Sequence, residues 1–421
     1  MNDSDRSSGS VRPSAPDPAL ARRRFLARAA GLSALAAAGS GVAQRALAQA
    51  APPLVDPTGT IPNGTVLAAK IPDFPVHSAR PLTWSVPAEY HDFDVTPTDR
   101  MFIRNNLLTP DLGATNHVLR VRGLVDKPLD LPLAELKKLR SFTTQAMVEC
   151  AGSGRAGFQP RPSGTPWLPT GGMGCPTWTG VSLADVLKLA GVKAGAVHVA
   201  FSGDDIPAVP TAPKVIRSIP LAKALERHTM IAWGMNGGDL PRIHGYPLRM
   251  VVPGWVGSAS IKWLSGIEVL DAPFKGTYMD GSYRIPQPPV PPGSRLPPGS
   301  PITEAWPVKS MITLPGPGDR YRAGGLLVVR GSAWAGDHGI ERVDLSVGGG
   351  AWQPANLAPS GDKYAWRRFR LEVPLTQPGE LVILARATDE KGNTQPVSAT
   401  WNPLGYFWNS IHRVGIVVDK A

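Results

Sequence analysis

Cysteine is scarce in this chain, since Cys150 and Cys175 are the only two among 421 residues. No Cys-x-x-Cys-His sequence occurs, which excludes covalent attachment of a c-type haem by the chain itself. The two cysteines also lack zinc-site spacing and are too few for an iron–sulfur cluster. The chain therefore forms one disulfide at most, or uses its thiols individually.

Long apolar runs are absent as well. The stretch from Ala29 to Val42 is apolar for only about 14 residues, short of the ~20 that a spanning helix needs. It follows Arg22-Arg23-Arg24-Phe25-Leu26, a pattern typical of a twin-arginine export signal, and small residues at 46–50 offer cleavage sites. We therefore predict that residues 1–50 direct the chain to the periplasm, with no membrane segment after cleavage.

Positively charged residues outnumber negatively charged ones, but they form no long block in the sequence. The formal net charge is +11, and residues 1–50 contribute seven arginines against three aspartates, which leaves about +7 for the remainder. This excess favours anionic substrates, cofactors or partners through long-range attraction. The basic residues are dispersed and no nucleic-acid motif occurs, so nucleic acid is not expected as a partner.

Proline marks one internal boundary, because residues 285–301 contain eight prolines. Before it, residues 51–290 combine short strand and helix patterns, which indicate an α+β domain. One predicted helix there begins after Ser182, a candidate cap, and ends at Gly191. After the boundary, residues 300–421 contain short apolar strands separated by turns, a pattern typical of an all-β, immunoglobulin-like sandwich.

Cys150 occupies the most informative position in the sequence. It ends a strand-like run, residues 143–149, and enters a glycine-rich turn, where a side chain can be presented to a ligand. A thiolate there is a soft ligand suited to a thiophilic metal. A disulfide with Cys175 is the structural alternative, because exported chains often form such bonds. Basic residues elsewhere could supply donors for oxyanions: Arg104, Arg155, His244, Arg249 and Lys262.

Several segments, taken together and in order, resemble motifs of the sulfite oxidase family. They run from about residue 104 to residue 418 and include the molybdenum-ligand loop of that family at Glu149-Cys150-Ala151-Gly152. The longest match contains Leu240-Pro241-Arg242-Ile243-His244-Gly245-Tyr246-Pro247-Leu248-Arg249. The others are Met101 to Asn106, Met173 to Val181, Met235 to Gly237, Val252 to Gly254 and Ile261 to Leu264. The resemblance implies a sulfite-oxidase-type molybdopterin domain followed by a dimerisation domain, and hence a homodimer.

The resemblance also implies roles for individual residues. Cys150 would be the only protein ligand of molybdenum, whose other sulfur ligands come from the molybdopterin dithiolene. Cofactor contacts would come from Arg104, Asn105, Asn106, Cys150, Asp205, His244, Arg249, Ser260, Ile261 and Lys262. The residues implied at the substrate anion are Arg104, Arg155 and Tyr283, with Tyr278 as the second candidate for the tyrosine. Cys175 stands where many relatives have asparagine, and we expect it to be a buried neutral thiol.

Three positions depart from the pattern of the animal enzymes. Gly154 stands where many relatives carry an arginine, Asn106 replaces a histidine, and Leu404 replaces an arginine that comes from the second domain. We therefore expect a less basic substrate pocket. The chain shows no counterpart of the animal haem domain, so a separate c-type cytochrome is the expected electron acceptor. The chain most resembles the bacterial periplasmic sulfite dehydrogenases.

The function implied is oxidation of sulfite, or of a related sulfur oxyanion, by oxygen-atom transfer. One alternative within the family is the sulfane dehydrogenase subunit of a thiosulfate-oxidising complex, which acts on protein-bound sulfur. An alternative of another class is a cofactor-free periplasmic binding or scaffold protein in which Cys150 and Cys175 form a disulfide. Molybdenum content separates the last alternative from the first two.

Overall fold

The computed structural model describes residue 70 and residues 74–421. The predicted signal, residues 1–50, lies outside the described residues. Within the described part, no helix is long and apolar enough to cross a membrane. The regular structure of the described chain is mostly strand with little helix, so the predicted mixed domain is dominated by its sheets.

The first part of the described chain builds four separate groups of paired strands. The strands are β1 (Val76–Ala79), β2 (Leu82–Trp84), β3 (Ile103–Arg104), β4 (Val118–Gly123), β5 (Leu129–Pro132), β6 (Ser141–Gln145), β7 (Val148–Glu149), β8 (Met173–Gly174), β9 (Thr177–Ser182), β10 (His198–Gly203), β11 (Ile216–Pro220), β12 (Met230–Met235), β13 (Gly238–Asp239), β14 (Arg249–Val251) and β15 (Leu264–Leu270). They pair in the orders β1–β2–β3, β11–β10–β15–β4–β5, β13–β12–β9–β6 with β14 beside β12, and β7–β8. Predicted site residues lie in or beside β3, β7 and β14, so packing between three different sheets must bring them together.

Helical structure in residues 74–421 is short. The α-helices are α1 (Leu133–Leu136), α2 (Leu183–Ala190) and α3 (Leu221–Ala224), and single 3-10 or π turns occur at Ala88–Tyr90, Thr98–Arg100, Arg155–Gly157, Arg242–His244, Gly257–Ala259 and Thr277–Gly281. Helix α2 buries one face through Leu183, Val186, Leu187 and Ala190, the spacing of an amphipathic helix. It ends at Gly191 in the left-handed conformation, as the sequence predicts.

The predicted side-chain cap at Ser182 is wrong. Ser182 does precede α2, but its hydroxyl makes no capping hydrogen bond and is buried without a partner. Ser182 is also the last residue of β9, where it pairs with Met230 of β12. Pairing within the sheet therefore sets the orientation of Ser182, and its side chain does not cap the helix.

The second part of the chain forms two facing sheets. The strands are β16 (Lys309–Leu314), β17 (Arg320–Arg322), β18 (Leu326–Trp334), β19 (Ile340–Val347), β20 (Gln353–Pro354), β21 (Asn356–Leu357), β22 (Arg367–Pro374), β23 (Gly379–Asp389) and β24 (His412–Asp419). One sheet has the order β16–β18–β22–β21 and the other β17–β24–β23–β19–β20. Both contribute to one apolar core, for example through Val329 and Phe369 from the first and Val343 and Val414 from the second. Residues 309–419 thus form the all-β sandwich that the sequence predicts.

The sandwich contacts the segment that leads into Cys150. The backbone N–H of Met147 donates to the carbonyl of Tyr364 over 2.9 Å. Two residues later, Glu149 forms an ion pair with Lys309 of β16, with 2.6 Å between Oε1 and Nζ and both side chains fully buried. The loop that carries the predicted metal ligand is therefore fixed from the sandwich side as well as by its own sheet.

Candidate active site

One pocket is lined by eleven of the twelve predicted site residues. It is lined by Met101, Phe102, Arg104, Asn105, Asn106, Val148, Cys150, Ala151, Asp205, Val215, His244, Arg249, Gly257, Ser258, Ser260, Ile261, Lys262, Trp263 and Tyr283. Every predicted cofactor contact is in this wall, although the residues come from segments up to 158 positions apart, Arg104 to Lys262. The roles assigned to them stay predictions, but the structure brings them to one place.

Cys150 enters this pocket from the end of β7. Its N–H donates to the carbonyl of Gly172 over 2.8 Å, and its own carbonyl accepts from the N–H of Ser153 over 2.8 Å. These bonds hold the start of the glycine-rich turn at both sides of the residue. The thiol is free and partly exposed, as a metal ligand at a pocket wall must be.

Cys175 lies elsewhere and is also a free thiol. It is fully buried, and burial raises the pKa of its thiol to about 12. Its sulfur accepts from the N–H of Trp366 over 3.4 Å and from Gln145 over 3.5 Å. The expectation of a buried neutral thiol agrees with this environment, and no disulfide joins it to Cys150.

Four basic side chains meet around the pocket: Lys70, His244, Arg249 and Lys262. Lys70 Nζ lies 2.8 Å from His244 Nε2, and Arg249 donates to the carbonyls of His244 and Ser260 over 3.0 and 3.2 Å. Lys262 donates to the carbonyl of Ile243 over 3.0 Å and also contacts the side-chain oxygen of Asn105. None of these four forms an ion pair with a carboxylate among the described residues.

Burial and mutual repulsion lower the pKa values of this cluster. Desolvation lowers the pKa of Arg249 to about 9 and that of Lys70 to about 7. The pKa values of His244 and Lys262 fall well below their ordinary ranges, first through burial and then through the neighbouring cations. Asp205 is the one carboxyl group in the pocket wall, and burial raises its pKa to about 6. An anionic occupant would raise these pKa values again, because a nearby negative charge stabilises the protonated forms.

The chemistry of this donor set fits a molybdenum–molybdopterin cofactor. Within the described residues, no group of three His, Cys, Asp or Glu side chains could hold a metal ion by itself. A metal bound through Cys150 must therefore bring most of its ligands with it, as a dithiolene does. The buried cations without carboxylate partners suit the anionic phosphate of such a cofactor.

Arg155 is the predicted site residue that does not line the pocket. Its guanidinium is buried and donates from Nε to the carbonyl of Leu404 over 3.0 Å and from Nη1 to that of Thr165 over 2.9 Å. It also lies over the ring of Tyr406, 5.4 Å from its centroid. Arg155 thus lies outside the pocket lining, and two of its guanidinium nitrogens donate to backbone carbonyls.

Tyr283 lines the pocket, whereas the alternative Tyr278 does not. The hydroxyl of Tyr283 lies 3.5 Å from the side-chain nitrogen of Asn106, at the long limit of a hydrogen bond. Its backbone has φ of +57°, which only a few per cent of non-glycine residues adopt. Of the two candidates, Tyr283 is therefore the one at the pocket, and the fold holds it in an uncommon backbone conformation.

Some residues of this region escaped prediction from the sequence. Lys70 lies in a proline-rich stretch of sequence without a periodic pattern, and its contacts with His244 and with the carbonyl of Met101 place it at the site. Val215, Ser258 and Trp263 line the pocket as well. Trp263 lies inside the matched segment from Ile261 to Leu264 and Ser258 lies shortly before it, so the resemblance was the available signal for both.

Comparison with known proteins also indicates a molybdopterin site, and the matches cover most of the chain. Two family models match: the oxidoreductase molybdopterin binding domain over residues 106–278 and the Mo-co oxidoreductase dimerisation domain over residues 300–419. Sulfite oxidase of Gallus gallus is 35% identical over 383 residues, which cover 87% of this chain and 81% of that protein. The mitochondrial sulfite oxidase of Homo sapiens is 33% identical, and the alignment covers 83% of this chain and 66% of that protein.

A solved structure is also similar. The sulfane dehydrogenase SoxCD from Paracoccus pantotrophus matches with a TM-score of 0.70 and 29% sequence identity. The match covers 80% of this chain and 85% of that one. The likeness thus includes both the pocket-bearing part and the sandwich.

Proposed function

The chain belongs to the sulfite oxidase family of molybdopterin enzymes, and on that premise we propose that it oxidises sulfite to sulfate. The overall conversion takes up one oxygen atom from water and releases two protons and two electrons. The observation that carries the proposal is the free thiol of Cys150 in the same pocket as Arg104, Arg249 and Lys262. A cofactor-free binding protein is not supported, because both cysteines are free and the family consists of enzymes.

The cofactor is molybdenum–molybdopterin, which supplies oxygen-atom transfer when bound. Cys150 would ligate the metal, and His244, Arg249 and Lys262 would bind the pterin and its phosphate. Their charge-assisted hydrogen bonds are worth roughly 1.5–3 kcal/mol each. Lys70 extends this basic group through its contact with His244.

The substrate would bind in the same pocket, near the metal. Sulfite carries between one and two negative charges at neutral pH, so a fixed guanidinium in the pocket can orient and stabilise it. Arg104 lies in the pocket wall at the end of β3 and can act in this way. Asn106 and Tyr283 supply neutral hydrogen-bond donors to the same pocket. The substrate-binding part of the pocket therefore carries less positive charge than the pattern of the animal enzymes would give it.

The assignment is tested by Cys150→Ser. We expect the exported variant to lose part of its molybdenum, since the dithiolene still holds the metal, and at least about a hundredfold in sulfite-dependent acceptor reduction, because an alcohol is a poor ligand for a thiophilic metal. Metal analysis and steady-state kinetics measure the two effects. Cys175→Ser is the matched control, since it changes the buried thiol away from the pocket and should retain molybdenum. A Cys150→Ser protein with full metal content and activity would refute the assignment.

Sulfane dehydrogenase activity is the second candidate, and the similarity to SoxCD favours it. In this case the substrate is sulfur bound to a carrier protein, which needs an accessible pocket. Leu404, at a position where the resemblance expects a substrate-binding arginine, is compatible with such a pocket. Purified enzyme supplied in parallel with sulfite and with a persulfide-loaded carrier protein distinguishes the two, because the preferred substrate will have the higher kcat/KM.

Three further inferences concern the location of the enzyme, its electron acceptor and its oligomeric state. We infer export to the periplasm, a separate c-type cytochrome as acceptor, and a homodimer formed through an immunoglobulin-like sandwich. The twin-arginine pattern supports the first inference and the dimerisation family model over residues 300–419 supports the last. Fractionation of cells, cytochrome reduction by the purified enzyme and light scattering test the three separately.

A further inference from the structure

Two arginines and two tyrosines form a buried cluster beside the pocket. The rings of Tyr283 and Tyr406 stack with centroids 5.5 Å apart and planes within 8°. Arg217 lies over the ring of Tyr283 at 5.0 Å from its centroid, and Arg155 lies over that of Tyr406 at 5.4 Å. Tyr283 is the member of this cluster that lines the pocket.

Burial of Arg217 is costly for this fold. The residue is 2% exposed, and its guanidinium forms no ion pair with a carboxylate in the described part of the chain. Nη1 donates to the carbonyl of Tyr278 over 2.6 Å, but Nε is buried without a partner. Burial lowers the pKa of the group only to about 10, so the charge persists at neutral pH. An apolar side chain of similar length would fill the space without this cost.

The contacts of Arg217 converge on Tyr283. The carbonyl that it binds belongs to Tyr278, in the turn just before Tyr283. A second terminal nitrogen lies 3.5 Å from the carbonyl of Thr303. Thr303 in turn donates to the carbonyl of Tyr283 through its N–H, over 2.7 Å, and through its hydroxyl, over 2.9 Å.

Tyr283 needs such support because its backbone is strained. A non-glycine residue at φ of +57° persists only where its surroundings determine the conformation, and such residues cluster at functional sites. The Thr303 bonds hold the backbone of Tyr283, whereas Arg217 and Tyr406 hold its ring. Without Arg217, its contact with the ring and the link to the preceding turn are lost together.

We propose that Arg217 is a positioning residue that holds Tyr283 in place, so that its hydroxyl faces the pocket beside Asn106. The inference deepens the proposed function and rests on it for the kinetic consequences. The geometric part, that Arg217 holds the ring of Tyr283, concerns only residues of this chain and does not depend on the reaction. Arg217 acts through the tyrosine and not through contact with substrate, because it does not line the pocket.

The geometric part is tested without turnover. The protein labelled with 3-fluorotyrosine contains seven tyrosines, and Tyr283→Phe identifies the fluorine resonance of Tyr283 by its loss. We expect Arg217→Met to shift and broaden that resonance, and Arg217→Lys to change it less. Arg386→Met is the matched control, because Arg386 lies over the ring of Trp352 in the sandwich, away from the pocket. Arg217→Gln, which keeps a donor for Tyr278, replaces Arg217→Met if the latter does not fold.

The kinetic part uses a double-mutant cycle. We expect Arg217→Met to lower kcat/KM for sulfite by about tenfold, the size that a desolvated cation–π contact can supply. In the Tyr283→Phe background the same change should cost less than about twofold, since the hydroxyl that Arg217 positions is already gone. A purely structural arginine would cost the same factor in both backgrounds.

The outcomes separate the two inferences. If the wild type does not oxidise sulfite, the proposed function fails, while the fluorine spectra still report on Arg217. An unchanged Tyr283 resonance in Arg217→Met, or equal kinetic losses in both backgrounds, would overturn the positioning role.

Discussion

Gly154 illustrates how a single residue shapes the loop that carries Cys150. Its φ is +92°, and a Cβ placed on it would lie 2.6 Å from the Cβ of Trp408. Trp408 comes from the segment before β24, so the sandwich side packs directly on the loop. The indole of Trp408 occupies the space that any side chain at position 154 would need.

Alanine substitutions at two glycines test this packing. Gly154→Ala should lower the free energy of unfolding by about 1–3 kcal/mol more than Gly237→Ala, because only the first overpacks against Trp408. Gly237 has a similar φ of +80°, but nothing lies within 4 Å of the position that an alanine methyl group would take there, so it reports the backbone penalty alone. Urea unfolding of both variants measures the difference, and equal losses would contradict the packing argument.

Strand β24 joins the two sheets of the sandwich through its first residue. The N–H of Ile312 in β16 donates to Nδ1 of His412 over 3.1 Å. Because this nitrogen accepts a hydrogen bond, it carries no proton in the folded state. Burial, reinforced by the charge of Lys309, lowers the pKa of His412 from its ordinary 6.5 to about 4.

This shift predicts a pH dependence of stability. A histidine whose folded pKa lies below its unfolded value contributes fully above pH 6.5, and the contribution is lost as pH falls towards 4. His412 should therefore cost about 2 kcal/mol of unfolding free energy between pH 7 and pH 5. His91, with its pKa also lowered to about 4, adds a similar loss.

Urea unfolding at pH 7 and pH 5 tests this element. His412→Leu should be less stable at pH 7, because it leaves the N–H of Ile312 unpaired, but should lose less stability on acidification. The same substitution at the exposed His338 is the control. An unchanged difference between the two pH values in His412→Leu would show that this histidine does not titrate as proposed.

At the scale of the whole molecule, the ion pair of Glu149 and Lys309 connects the Cys150 segment to the sandwich. Both side chains have 0% exposure, and the indole N–H of Trp334 donates to the second carboxylate oxygen over 2.9 Å. Lys309 also lies near the ring centroids of Trp334 and Trp408, at 5.8 and 5.5 Å. A charge left alone in such a place is costly because no water can solvate it.

Removal of one partner should therefore destabilise the protein strongly. We expect Lys309→Met to lower the free energy of unfolding by about 3–5 kcal/mol, and Glu149→Gln with Lys309→Met to recover much of that loss. Arg320→Met breaks the exposed pair with Asp419, at 63% and 41% side-chain exposure, and should cost less than about 1 kcal/mol. Calorimetric or urea unfolding compares the variants, and similar losses for Lys309→Met and Arg320→Met would refute the argument.

Much of the fold and site was predictable because the signals are local. Apolar alternation and spacing located strands such as β19 and β23 and helix α2, and the proline-rich segment located the change in architecture. The motif around Cys150 and the one ending at Arg249 named residues that the pocket then brought together. Ser182 was predicted wrongly as a side-chain cap, since pairing within β9 determines its orientation and lies outside any local pattern.

The sequence alone determined which chemical groups are available: one thiol in a glycine-rich turn, dispersed cations, and strands enough for a sandwich. Only the tertiary structure decided which cations are buried without partners, which tyrosine faces the pocket, and that Arg155 and Arg217 lie outside its lining. The reason is that burial and charge pairing depend on neighbours far apart in the chain, such as Arg217 with Tyr283 or Glu149 with Lys309. The positions of these residues in the sequence do not show that they lie close together in the fold.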